Sequence, residues 1–112
     1  MKRLAFRQNE REGNIVKAFI LFSGSAPLLL LTSYDSARDT QFIEKLATRG
    51  IRKFVAYEVP EDQVKQLYGK HYDLVMEDLQ QTDDLRVLDY DGFHVVNTFS
   101  FKTLGRPVLY EP

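Results

Sequence analysis

Hydroxyl, carboxylate and guanidinium groups crowd together at Thr32-Ser33-Tyr34-Asp35-Ser36-Ala37-Arg38, and a second polar pair, Tyr57-Glu58, ends another apolar run. If both stretches reach one edge of a sheet, Ser33, Tyr34, Asp35, Arg38, Tyr57 and Glu58 line a polar pocket suited to a small molecule or a phosphate. The carboxyl ends of parallel strands are where open α/β sheets bind ligands. The competing account is architectural: Asp35 or Ser36 caps a helix and Arg38 pairs with an acid.

The other reactive groupings are weaker. Ser23-Gly24-Ser25 offers amides and hydroxyls to an anion, but it lacks the second glycine and the lysine of a phosphate-binding loop, and a strand follows it rather than a helix. The acids Glu77, Asp78, Asp83, Asp84, Asp89 and Asp91 lack calcium-loop spacing and read as a solvated helix end, a loop and a turn. His94 has Asp89 as an expected cross-strand neighbour, yet no serine elbow supplies a nucleophile. His71 falls on an expected surface turn, and no pair of histidines has metal-ligand spacing. There is no cysteine, which removes thiolate metal sites, disulfides and cysteine nucleophiles. No catalytic set, metal site or cofactor is expected.

The elements that must position these groups follow from apolar periodicity. Residues 2–8 and 15–22 read as strands around a polar turn, a first hairpin. Leu28-Leu29-Leu30-Leu31 is bounded by Pro27 and by Thr32-Ser33, so it is short and apolar on both sides, as a central strand is. Ser36 is the expected N-cap of a helix whose apolar stripe is Phe42, Ile43, Leu46 and Ala47 and whose end is Gly50. Residues 52–59 form the next strand, so 28–59 reads as a right-handed crossover joining two parallel strands.

Pro60 opens a helix with Val64, Leu67 and Tyr68 buried, Gly69 interrupts it, and His71–Gln80 makes another. Asp91-Gly92 sets a C-terminal hairpin over 85–99. A helical turn is expected from Ser100 to Leu104, and Pro107–Glu111 makes a last edge strand.

Leu29–Asp35 and Phe54–Pro60 resemble the last two strands of bacterial receiver domains. That resemblance implies a phospho-accepting aspartate on an earlier strand and a lysine before Pro60. Residues 1–31 contain only the acids Glu10 and Glu12, and Val59 precedes Pro60. The match is therefore one of α/β grammar.

The fold expected is α/β, with α+β as the alternative. One domain over 1–112 carries a mixed five- or six-stranded sheet, the β-α-β crossover at 28–59, two or three helices and the hairpin at 85–99. Net charge is −1, but residues 1–53 hold ten Lys/Arg against five Asp/Glu, and residues 54–112 hold five against eleven. Either the two halves neutralise each other inside one fold or the surface is bipolar.

The longest apolar run falls far short of the roughly 20 residues of a membrane span, and a cytoplasmic protein is expected. The leading function is a small non-catalytic binding or interaction module, with a homodimer or a protein partner covering apolar sheet surface. The alternatives are an enzyme at the 33–38/57–58 edge and, more weakly, nucleic-acid binding through Lys2, Arg3, Arg7, Arg11 and Lys17.

Overall fold

The structure, a computed structural model, describes residues 15–24, 27–89, 97–100 and 104–112. Its elements are β1 (Lys17–Phe22), β2 (Pro27–Thr32), α1 (Thr40–Thr48), β3 (Phe54–Val59), α2 (Glu61–Tyr68), α3 (Lys70–Leu79), β4 (Leu85–Asp89) and β5 (Val108–Tyr110). The five strands form one sheet in the order β4-β2-β1-β3-β5, and every neighbouring pair is antiparallel.

This corrects the expected mixed sheet with its parallel pair and β-α-β crossover: the architecture is α+β. β1 turns back onto β2 through a short hairpin at Phe22↔Pro27, and its other edge takes β3, with Phe19↔Glu58. β2 and β3 therefore run the same way with β1 between them and share no hydrogen bonds. The four-leucine strand is central as expected. What periodicity left open was its neighbour: β1, the strand before it, pairs with it along one edge and with β3 along the other. The hairpin of 2–8 with 15–22 and residues 90–96 of the 85–99 hairpin lie outside the described residues, and Asn97 and Thr98 are helical where the returning strand is expected to run on to Phe99.

Alternation along the strands builds two cores. Ala18 and Ile20 face the same way as Leu29, Leu31 and Val59, and join Val64, Tyr72, Leu79 and Phe99 under α2 and α3. Phe19 and Leu21 face the other way with Leu30, Phe54, Ala56 and Leu85, and meet Phe42 and Leu46 of α1. Phe19 and Tyr34 both pack against the Phe42 ring, with centroids 5.8 and 6.1 Å away. Leu29, Leu30 and Leu31 are fully buried because both faces of β2 are covered.

α1 starts later than the sequence suggested. Its cap is Asp39, whose carboxylate accepts from the Gln41 amide at 2.8 Å, while Ser36 Oγ accepts from the Arg38 amide in a tight turn before the helix. The end is as expected. Gly50 adopts φ +85, the Ile51 amide donates to Leu46 O, and the Gly50 amide donates to Ala47 O.

Gly69, at φ +52, separates α2 from α3. Leu67, expected inside, is 46% exposed, and Leu74 of α3 is 67% exposed. Tyr72, Val75, Met76 and Leu79 supply α3's inward face instead. Among the described residues, no helix is long and apolar enough to cross a membrane.

Candidate functional site

The residues expected to share a pocket divide between two places. Ser33 and Tyr34 continue directly from β2 and are tied to the segment that enters β4. The Asp84 amide donates to Ser33 Oγ (3.0 Å), the Ser33 amide donates to Asp84 O (3.1 Å), and Tyr34 Oη donates to Asp83 O (3.1 Å). Buried Thr32 completes the joint: its Oγ1 donates to Asp84 O and accepts from the Tyr34 amide. These hydroxyls are spent on backbone groups that would otherwise lose water without replacement. Asp35 and Arg38 stand exposed on the turn before α1.

Tyr57 and Glu58 lie on β3, across β1. As adjacent strand residues they point to opposite faces. Tyr57 pairs with Ile20 on the α2–α3 side and meets Phe22 edge-on at 6.0 Å, while Glu58 pairs with Phe19 on the α1 side. Glu58 is bound to Lys17 Nζ at 3.2 Å. The six residues therefore do not line one pocket, and the reason is the inserted β1.

The polar network that the sequence reading did not anticipate centres on Arg86. Its guanidinium hydrogen-bonds the Asp84 carboxylate and reaches Asp78, at the end of α3, at 3.0 Å. Lys45 of α1 approaches Asp84 from the opposite face of the sheet at 3.8 Å. Burial alone would raise the Asp84 carboxyl. The hydrogen bonds from Arg86 and the Leu85 amide, with the charges of Arg86 and Lys45, outweigh it and hold this group below its ordinary value. The same bond to Asp84 raises the Arg86 guanidinium. Burial, with the charges of Asp83, Asp39 and Asp84, raises the Tyr34 phenol.

The acidic run is thus partly structural: Asp78 and Asp84 hold Arg86, and Asp89 accepts from Tyr68 Oη at 2.6 Å. The available signal was the alternation Asp84-Leu85-Arg86 at the start of a strand, with an acid-rich helix end before it. Among the described residues, no group of three or more acids and histidines converges in a way that could hold a metal ion. His71 lies exposed in the first turn of α3, and His94 is outside the described residues.

Two open clefts mark the surface, one beside this joint and one away from it. A cleft of about 450 Å³ runs beside Tyr34 along Gln41, Glu44, Lys45 and Thr48. A second, of about 380 Å³, lies between Glu58-Val59-Pro60 and Leu104-Gly105-Arg106.

On the α2–α3 side of the sheet, α3 lies against β2 and β4 and α2 against β1. The β3–β5 part of that face carries half-buried Phe22, Val55 and Tyr57 beside Leu109, which is 62% exposed and pairs with Val55. No protein-family model, curated protein or solved structure matches this chain.

Proposed function

We propose that this protein is a small cytoplasmic interaction module without catalytic activity of its own, and that it self-associates through the β3–β5 part of its sheet face. The observation that carries the reading is Leu109, an exposed leucine set beside Phe22, Val55 and Tyr57 on one face. A single exposed leucine is ordinary, but a leucine continuous with two rings and a valine on a sheet surface is a contact patch.

The face is favoured over the edge. β5 is three residues long and is flanked by Pro107 and by Glu111-Pro112, the features that discourage strand addition. Four side chains fall well short of the ~800 Å² per partner of a standard interface, so the association is weak, of about micromolar strength or less. The polar joint at Asp84 and Arg86 supports the absence of chemistry there, since its donors are already engaged by protein acceptors.

Sedimentation velocity over a wide concentration series tests this. The expected result is a sedimentation coefficient that rises with concentration, and a Leu109→Ser variant that stays monomeric with an unchanged melting temperature. A wild-type chain that remains monomeric throughout, or a Leu109→Ser chain that associates equally well, would overturn the proposal.

A further inference from the structure

The Glu58–Arg106 cleft exists because two strands end at different levels. β5 pairs with β3 only from Phe54↔Tyr110 to Ala56↔Val108. Pro107 has no N–H to extend the ladder, so the chain before Val108 leaves the sheet while β3 runs on to Val59. The gap of about 380 Å³ is lined by Glu58, Val59, Pro60, Leu104, Gly105 and Arg106, and of its apolar side chains Pro60 and Leu104 reach the surface while Val59 is buried. That volume lies in the range of small-ligand sites.

Its two walls carry opposite charge. Glu58 stands on the β3 side, half exposed, with Oε2 engaged by Lys17. Arg106 stands on the other side, exposed, with no ion pair or side-chain hydrogen bond among the described residues. A simple anion seated on Arg106 would face the Glu58 carboxylate across the gap, and a simple cation on Glu58 would face Arg106. A molecule carrying both charges avoids either repulsion. Guanidinium binds a carboxylate through two parallel N–H donors, and the remaining carboxylate oxygen of Glu58 accepts from an ammonium group.

We propose that this cleft binds a small zwitterion of the α-amino acid class, its carboxylate on Arg106, its ammonium on Glu58 and an apolar side chain against Pro60 and Leu104. This goes beyond the self-association reading and does not depend on it, since Leu109 is not part of this cleft.

The probes are L-leucine, L-leucinamide, which lacks the carboxylate, and 4-methylpentanoate, which lacks the ammonium. Each is titrated into the full chain and followed by amide NMR shifts. Leucine is expected to give saturable shifts confined to residues 58–61 and 104–106, in the millimolar range or tighter. Each one-charge analogue should bind at least about tenfold more weakly, the cost of losing one charge-assisted hydrogen-bonded group. Arg106→Ala should lose leucine binding by about tenfold or more with an unchanged melting temperature, and Arg106→Lys should lose less because it keeps the charge but not the fork. Glu58→Gln should weaken leucine while leaving 4-methylpentanoate unaffected or tighter. Absence of saturable shifts at about 10 mM leucine, roughly the limit of useful millimolar affinity, would overturn the proposal. So would equal binding of the three probes, or undiminished binding to Arg106→Ala.

Discussion

The two flanks of this sheet use polar residues in opposite ways. Where β2 passes into Ser33 and Tyr34, the chain meets the entry to β4, and hydroxyls, amides, Asp84 and Arg86 answer one another. Where β3 outruns β5, Glu58 and Arg106 line one open cleft, and Leu109 is left in water. A dense polar motif is thus a poor guide to a binding site. On the first flank the density is what closes the structure, because two chain segments arrive together and satisfy each other. On the second, Arg106, Leu109 and the Glu58 oxygen not held by Lys17 stay available where the neighbouring strand stops short.

The contrast can be broken at three points. The largest effect belongs to the apolar layer behind the closed flank. Leu30 is fully buried, in the same core as Phe19 and Phe42, so Leu30→Ala should cost about 3 kcal/mol in urea unfolding. A cost as small as that expected of a surface change, under ~0.5 kcal/mol, would mean that β2 is not held between two layers. Next is Asp84→Ala, which strips Arg86 of its nearest acceptor and removes the tie to Lys45. About 2 kcal/mol is expected from a charge-assisted bond whose members are partly solvated. Both variants are compared with Leu109→Ser, which should leave stability unchanged.

The smallest effect is on pH dependence. The folded Asp84 carboxyl lies below its ordinary value of 3.8, so the unfolded chain binds its proton first as pH falls. Its contribution is complete well above pH 3.8 and is lost as pH drops through that value toward the folded one. The wild type should therefore lose more stability than Asp84→Ala between neutral pH and the acid limb, measured by thermal melts. Parallel acid limbs in the two proteins would show that Asp84 gains nothing from Arg86.

Much of this was legible from local chemistry, and the misses share one cause. Leu28–Leu31 between Pro27 and Thr32-Ser33 announces a short, doubly buried strand. Phe42 and Leu46 before Gly50 announce a helix and its end, and Pro107 announces a short final strand. None of these signals names a strand's neighbour. The parallel pair was inferred from chain order, but β1, fully apolar at Ala18, Phe19, Ile20 and Leu21, could take partners on both edges and did so. Moving β3 one place outward carried Tyr57 and Glu58 away from Ser33. The role of Arg86 was hidden for a similar reason, since Asp78 and Lys45 reach it and its partner Asp84 from opposite faces. Acids are more numerous in α2 and α3, and Arg38, Arg49, Arg52 and Lys53 flank α1, yet opposite charges meet on both sides of the sheet, at Lys17–Glu58, Lys45–Asp84, Lys65–Asp73 and Arg86–Asp78.

The earliest described strand occupies the middle of the sheet, and this orders how the molecule can assemble. The β1–β2 hairpin closes a very short loop and costs little entropy, so it is the natural seed. β3 joins β1 across a longer connection that contains α1, and β4 and β5 sit at the two edges, so their pairings carry a larger closure cost. Arg106 of the cleft and Leu109 of the sheet face belong to that outer margin, whereas Glu58, Val55, Tyr57 and Phe22 lie on β3 and β1. Evolution can therefore alter recognition there, in the segment from Leu104 to Glu111, at small risk to the folding of everything laid down before it.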